Sequence, residues 1–472
     1  MYLHDLLETV PTQDPLPTIK VEGIETNSKR VKAGDVFFAL TGHTTDGHDY
    51  IEAAIKAGAV AVVGTEPMEF EAVPYIQVAD SRKTVAFAAK TFYGNPSHQK
   101  TVIGITGTNG KTTTSFLLKG MLEGLGYSCA LFGTVHYVIN GETLPSPNTT
   151  PDSLQFQRLL HESKDDVVLM EVSSHGIDQL RIEGIDFDYT VFTNLDHDHL
   201  DYHHTMEEYF AVKSKLFHQL KATGTAVVCT LDSWGVRLVN QLVGDNIPMK
   251  TVGVLPESDT LLSEDYYSIS MGQEQIQLPL DMPRHNRINA ALAATVIKEM
   301  GGSLAQVEQE LTTFSGVPGR FEVVEGPEDI RIVIDYAHTA DAFRQVLESA
   351  RQLSTGRILH VFGFRGKRDA TKRPEMIRVS TQHSDHSILT FDDLNGLTAE
   401  QMTHQLDELE FTGERINDRT RAIERAISQA RSGDWIVITG KGSESYQEDF
   451  ELHTTTDAET VALVLRSLKL SC

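Results

Sequence analysis

The residues of this chain with the clearest chemical potential are Gly107, Thr108, Asn109, Gly110, Lys111, Thr112 and Thr113. They follow the apolar run TVIGIT and precede the helical pattern SFLLKGMLEGL. A glycine-rich turn between strand and helix lets backbone N–H groups approach phosphate oxygens, and the helix N-terminus adds a partial positive charge. In that setting Lys111 reaches the β and γ phosphates of a nucleotide, and Thr112 offers its hydroxyl to Mg²⁺. The spacing is shorter than the general P-loop pattern, with two residues between Gly107 and Gly110 instead of four. The alternative, a flexible turn that merely precedes Lys-Thr, does not account for the strand–turn–helix setting.

Such a loop needs a parallel sheet to hold it. Further strand-like runs, DVVLMEV, DYTVFTNL and TAVVCTL, alternate with helical patterns, which implies a sheet covered by helices. Gly-Pro punctuation divides the 472 residues, at Gly94-Asn95-Pro96 and again in GVPGRFE at 316–322. Beyond the second break, IRIVIDYA, GRILHVFGF and DWIVITGKG describe another α/β unit. The expected architecture is therefore α/β throughout, in three domains: 1–97, 98–318 and 319–472. No repeat is evident.

Composition narrows the function classes. The chain is 40% hydrophobic and 23% charged, with 66 acidic and 41 basic residues and a formal charge of −25. Such a surface repels phosphate backbones, which excludes a nucleic-acid partner as the first reading. Cys129, Cys229 and Cys472 have no metal-type spacing and fit a reducing compartment. MYLHDLLETV is no signal peptide, and no apolar stretch reaches about 18 residues, so a cytoplasmic protein without membrane insertion is expected.

The string GTNGKTT resembles the ATP loop of the Mur ligases and of their folylpolyglutamate synthetase relatives. The resemblance extends along nearly the whole chain. NSKRVKAGDVFFALTGHTTDGHDYIEAAIKAGAVAVV (27–63) is similar to the UDP-binding domain of Mur ligases that add the third residue of the muramyl peptide. NTTPD (148–152), EVSSHGIDQLR (171–181), FTNLDHDHLDYH (192–203), YFAVKSKLF (209–217) and HNRINAALAA (285–294) follow in order. DYAHTADAF (335–343), VFGFRGKRDATKRP (361–374) and GKGSESYQ (440–447) complete the series. Each is weak alone; the order and spacing together are specific. The 27–63 segment disfavours a folylpolyglutamate synthetase or a ligase acting on cyanophycin-like polymers.

The resemblance implies an ATP-dependent amide ligase in peptidoglycan precursor synthesis, expected to work as a monomer. UDP-N-acetylmuramoyl-L-alanyl-D-glutamate and a free amino acid are its substrates, and ATP is the co-substrate. Oxide is a poor leaving group, so the carboxylate is first phosphorylated to an acyl phosphate, which the amine then attacks. Phosphoryl transfer asks mainly for charge stabilisation. Thr112, Glu171 and His199 offer the hydroxyl, carboxylate and neutral imidazole donors that suit Mg²⁺. Helical periodicity could place Lys213 or Lys215 near them, and the resemblance selects Lys213 as the lysine that becomes a carbamate and holds a second Mg²⁺. Carbamylation requires the neutral amine, which burial and nearby cations favour by lowering a pKa of ordinarily about 10.4. Lys111, Lys213 and His199 are thus the expected catalytic set. His197, Asp198, Asp201, His203 and His204 are expected to be mostly solvated or hydrogen-bonding residues rather than a transition-metal site, and Asp196-His197 departs from the family's Ser-Arg.

By the same resemblance, Ser28 and His43 match uridine-binding positions, and Thr149, Thr150, Ser173 and Arg181 match positions that hold the muramyl dipeptide. Asn286 and Asn289 fit the adenine side of the ATP site, joined by Arg320, Asp335 and His338. Asp392, Asp393, Asn395, Gly440 and Glu444 correspond to amino-acid-binding positions, where the pattern frays. The family's Asp-Asn-Pro-Arg reads Asp392-Asp393-Leu394-Asn395, its GGDRD reads Arg365-Gly366-Lys367-Arg368-Asp369, and the His of GKGHE is Ser443. Acidic residues without that Arg favour lysine or another basic amino acid over meso-diaminopimelate, unless Arg365 or Lys367 restores the charge. The same departures also suit a paralogue with a different acceptor, or an ATP-binding regulator on the same fold.

Overall fold

A computed structural model describes residues 1–11, 15–42 and 45–470. His43 lies outside the described residues, so the expectation attached to it has no structural counterpart. Three sheets follow one another along the chain. The first has four parallel strands in sequence order, Gly23–Glu25, Asp35–Phe38, Ala61–Gly64 and Tyr75–Gln77. The helix Ser81–Phe92 contributes Val85, Ala88 and Ala89 to the core of this layer.

The second sheet has eleven strands, seven of them parallel. At its centre Thr101–Thr106 lies between Val167–Glu171 and Phe187–Phe192. The run TVIGIT is apolar at nearly every position because both faces of a parallel strand are covered: Ile103 and Ile105 enter one core, Val102 the other. The chain leaves Thr101–Thr106 toward one side of the sheet and later returns on its other side, so the loop after Thr106 stands where the strand order reverses. Ligands bind at the carboxyl ends of strands at such a point. The antiparallel edges, His136–Ile139 with Glu142–Pro145 and Ser268–Met271 with Glu274–Gln277, went unread in the sequence. These short strands lack the continuous apolar runs that announced the others.

The third sheet has six strands in the order Glu322–Glu325, Arg331–Asp335, Trp435–Thr439, Ile358–Phe364, His386–Phe391, Glu414–Arg415. Only the first is antiparallel to its neighbour. Here Arg419 and Asp457, both with fully buried side chains, form a two-pronged ion pair at 2.7 Å on each prong. The same guanidinium donates to the Thr439 carbonyl at 2.9 Å, which pins the end of the central strand. Asp457→Ala should cost about 3–5 kcal/mol in denaturant-unfolding free energy, because it strands a buried charge. A loss below about 1 kcal/mol would show that water reaches this site.

Candidate active site

The loop leaves its strand at Gly107 with φ 147° and enters the helix Lys111–Gly124 at Gly110 with φ 84°. Both positions need glycine. A Cβ at Gly107 would lie 1.9 Å from Thr193 Oγ1, and one at Gly110 would lie 2.5 Å from Asn289 Oδ1. The loop amides are not all available to an anion, however. Thr108 donates to the Asn194 carbonyl at 3.0 Å and Asn109 to Asn194 Oδ1 at 2.9 Å, so the first turn of the helix carries the cradle.

Two lysines converge on one carbonyl. Lys111 Nζ donates to the Gly107 carbonyl at 2.9 Å and to the Thr108 carbonyl at 3.0 Å. Lys213 Nζ, almost wholly buried, donates to the same Gly107 carbonyl at 2.9 Å. Burial, and then the neighbouring Lys111 charge, hold the Lys213 ammonium pKa well below that of an ordinary lysine. Lys215, the other lysine of the pattern, begins the following 3₁₀ turn and is exposed. Burial also lowers the pKa of Lys111.

On the other side of the loop, Thr112 Oγ1 donates to Glu171 Oε2 at 2.9 Å. Glu171 is fully buried and also accepts from the Thr134 amide at 3.1 Å and the Thr134 hydroxyl at 2.9 Å. His199 sits with φ 54° at the start of the short helix Leu200–His203, packed edge-on against His175 at 4.8 Å. Burial pushes the His199 imidazole down to about 3, so it is neutral near pH 7. Tyr209 links these groups: its ring lies 4.7 Å from Lys213 Nζ and 6.3 Å from the His199 ring, and its hydroxyl is 3.2 Å from Thr108 Oγ1.

Of the solvated or hydrogen-bonding roles expected for its stretch, Asp198 takes the second: it is buried between the second and third sheets. Its carboxylate is 3.5 Å from His338 Nε2, 3.4 Å from His199 Nε2 and 3.3 Å from Lys372 Nζ. Burial works against its charge, but those three partners hold it well below the usual carboxylate range. His203 is buried as well. The clue was proximity in sequence to His199; what was missing was the third sheet's loops, which close over this stretch.

A cavity of about 470 Å³ opens beside the loop. Of the residues expected around the nucleotide, it is lined by Asn109, Gly110, Thr113, Asn289, Arg320, Asp335 and His338. Asn286 is not on its wall; it accepts from Asn289 at 3.5 Å and so supports it from behind. Asp335, on the cavity wall, is held in place by backbone amides. Its two oxygens accept from the Ala337 and Phe321 amides at 2.6 and 2.7 Å, a backbone clamp in which burial raises its pKa. Arg320 stacks over Tyr336 at 4.2 Å and donates to Thr112 Oγ1 at 3.2 Å, joining the third sheet to the loop of the second. Asn109 Nδ2 is buried with no hydrogen-bond partner among the described residues. Asn194, Asp232, His285 and Arg344 also line this cavity and were not singled out from sequence.

A second opening of about 210 Å³ lies between the first and second sheets and includes Thr26, Arg82, Asn148, Gln179 and Arg181. Arg181 donates to the Thr150 carbonyl at 2.8 Å, Thr150 Oγ1 is 3.0 Å from Ser173 Oγ, and Thr149 Oγ1 is 3.2 Å from Thr134 Oγ1. Thr149, Thr150, Ser173 and Arg181 therefore form one connected set that leads to Glu171. Ser28 is not on this wall, and Arg82, missed in the sequence, is.

The third group, Asp392, Asp393, Asn395, Gly440 and Glu444, gathers at the carboxyl ends of the third sheet. Its acids do not stand free, as the expectation of a basic amino acid required. Lys441 Nζ binds both Asp393 oxygens at 2.8 and 2.7 Å. Arg365 takes Asp392 at 3.4 Å and forms an ion pair with Glu444. Asn395 spends its amide on the Gly366 carbonyl at 2.8 Å.

Three family models match this chain in the same order: "Mur ligase family, catalytic domain" over 20–93, "Mur ligase middle domain" over 105–297 and "Mur ligase, glutamate ligase domain" over 319–442. A UDP-N-acetylmuramoyl-L-alanyl-D-glutamate–2,6-diaminopimelate ligase of Geobacter metallireducens is 37% identical, with 99% of each chain covered. The chain belongs to the Mur ligase family. A ligase of the same name from Aquifex aeolicus is 39% identical over 91% of this chain and 90% of its own. Among solved structures, one ligase of that name superposes with a TM-score of 0.69 at 26% identity, covering 99% of both chains. A MurF ligase of Thermotoga maritima in complex with ADP, at TM-score 0.68 and 20% identity, covers 97% of this chain and all of its own and shares the fold. The three-sheet α/β architecture expected from the strand pattern is thus that of Mur ligases.

Proposed function

We propose that this Mur ligase joins an amino acid to the terminal carboxylate of UDP-N-acetylmuramoyl-L-alanyl-D-glutamate, adding the third peptide residue at the expense of ATP. One observation carries the reading. The phosphate loop, the buried Thr112–Glu171 pair, the paired Lys111 and Lys213 and the reaching Arg320 gather at one point beside the larger cavity. Residues 1–97 and the Thr150–Ser173–Arg181 set hold the UDP-muramyl moiety, 98–318 holds ATP, and 319–472 brings the amino acid. The relatives' names, which specify the muramyl dipeptide and 2,6-diaminopimelate, support the same acceptor.

The chemistry follows from these side chains. A carboxylate oxygen of the acceptor attacks the γ-phosphorus, the bond to the β-phosphate oxygen breaks, and ADP leaves. Lys111 and Arg320 offset the charge that spreads over the transferred phosphoryl oxygens. The amine of the incoming amino acid then attacks the acyl carbon, inorganic phosphate departs, and the nitrogen loses its proton to solvent. Thr112, Glu171 and a neutral His199 are a hydroxyl, a carboxylate and an imidazole, donors that fit Mg²⁺, with Lys213 as its carbamate for a second ion. When bound, Mg²⁺ would neutralise phosphate charge. The chain is taken to act as a monomer in the cytoplasm; among the described residues no helix is long and apolar enough to cross a membrane.

The test is ADP release in the presence of Mg²⁺. Release should require both the UDP-muramyl dipeptide and an amino acid, rising at least tenfold over either alone. ATP turnover indifferent to both would leave an ATP-binding regulator, and turnover with another acceptor would reassign the substrate.

A further inference from the structure

Along the helix that follows the phosphate loop lies another cavity, about 440 Å³, which shares no lining residue with the nucleotide cavity. Its walls come from three elements: the helix Lys111–Gly124, the hairpin His136–Ile139 with Glu142–Pro145, and the end of the helix Leu304–Thr313 with residues 314–316 after it. Each wall continues directly into the phosphate-handling group. The first helix begins with Lys111 and Thr112. The hairpin starts two residues after Thr134, which donates to Glu171 through both its amide and its hydroxyl. Residues 314–316 end four residues before Arg320, which donates to Thr112 Oγ1.

The lining carries an unbalanced charge beside aromatic surface. Lys119 Nζ meets both Glu123 oxygens at 2.7 Å, so that cation is spent. The Glu310 carboxylate has no hydrogen bond or ion pair among the described residues. It packs against Gly124, where a Cβ would lie 2.1 Å from its carboxyl carbon. That is the negative end of the helix, whose last turn contains no basic residue. Phe116 and His136, edge to face at 5.4 Å, and Phe314 supply ring surface. Burial, and then the Lys119 charge, lowers the His136 pKa, so this imidazole adds no positive charge near pH 7.

We infer that this cavity is a regulatory site for a small organic amine, its ammonium on Glu310 and its apolar body against Phe116 and Phe314, and that occupation tightens ATP binding. The inference rests on the proposed function only for its nucleotide site. A cation at this end of the helix offsets both the lone carboxylate and the helix dipole, and the rings add a cation–π contribution. An occupant that touches both the helix and residues 314–316 favours the spacing at which Arg320 reaches Thr112. The coupling is reciprocal, so nucleotide tightens the amine by the same factor.

Phenethylamine, 2-phenylethanol and phenylacetate share one ring and differ in the charge of the tail. By calorimetry on the full-length enzyme, phenethylamine should bind with a Kd of about 1 mM. The alcohol and the carboxylate should bind at least about tenfold more weakly. At saturation, phenethylamine should lower the Kd of the non-hydrolysable analogue β,γ-imido ATP, with Mg²⁺ present, about fivefold or more. Glu310→Gln should weaken the amine about tenfold. Gly120→Leu places a side chain in the cavity: a Cβ there meets nothing within 4 Å, and leucine suits a helix better than glycine. It should abolish amine binding while leaving the amine-free Kd of the ATP analogue within about twofold of wild type. A phenethylamine Kd above about 10 mM, or no better than that of phenylacetate, overturns the inference. So does amine binding that persists in Gly120→Leu, or that leaves the affinity for the ATP analogue unchanged. None of these readouts uses an acceptor, so failure of the muramyl dipeptide as a substrate would remove the proposed function and leave this test standing.

Discussion

Lys111→Ala should lower kcat/KM for ligation by at least about 100-fold, the loss of one preorganised contact to developing phosphate charge worth about 3–4 kcal/mol. The fold should survive. Lys111 now bonds two carbonyls of its own loop, Gly107 and Thr108, at a partly exposed site where water can replace it. Lys111→Arg keeps the charge but not the reach, since a planar guanidinium does not fit the two-carbonyl seat of an ammonium, and it should recover only part of the activity. Melting temperatures within a few degrees of wild type, measured on both variants, would separate lost chemistry from lost structure. Near-normal turnover by a folded Lys111→Ala would remove this loop from the mechanism.

Lys213→Ala should be comparably inactive, but rescuable. The amine is buried beside a second ammonium, and both donate to one carbonyl, an arrangement that favours the neutral form CO₂ requires. A short carboxylic acid such as acetate fits the space left by the side chain and replaces the carbamate's oxygens. Added at millimolar concentration, it should restore about tenfold of a roughly 100-fold or greater loss. In the wild type, ¹³C-labelled bicarbonate should give a carbamate resonance that Lys213→Ala lacks. A fully active wild type without that resonance would show that Lys213 acts as an amine, and failure of every short acid to rescue would point to a packing role.

Much of this site was legible before any coordinates. The loop announced itself because its chemistry is local: a buried strand, glycines at positions where φ is positive, and a helix entered at Lys111. Glu171 was legible for a similar reason, as a carboxylate closing an apolar run whose every other residue must be buried. Neither inference needed to know what lies across the sheet.

Asp198 and the amino-acid pocket show where that kind of reading ends. In the sequence Asp198 is one acid in a polar run, and nothing local distinguishes it from Asp196 or Asp201. Its burial arises because His338 and Lys372, 140 and 174 residues away, close over it from the third sheet. The acids at 392 and 393 are the opposite case. Composition showed negative charge, whereas the fold supplies Arg365 from the adjacent strand and Lys441 from the next but one. Asp335 keeps its place on the cavity wall, but only the fold shows that the Phe321 amide, 14 residues away, joins the Ala337 amide in holding its carboxylate.

The sequence by itself determined the α/β class, the family and the phosphate-handling end of the chemistry, since strand burial, glycine geometry and helix capping are properties of contiguous residues. The tertiary structure alone decided which charges are paired and which remain open to a substrate. An ion pair depends on distance and burial, and both are set by strands that are neighbours in the sheet and far apart in the chain.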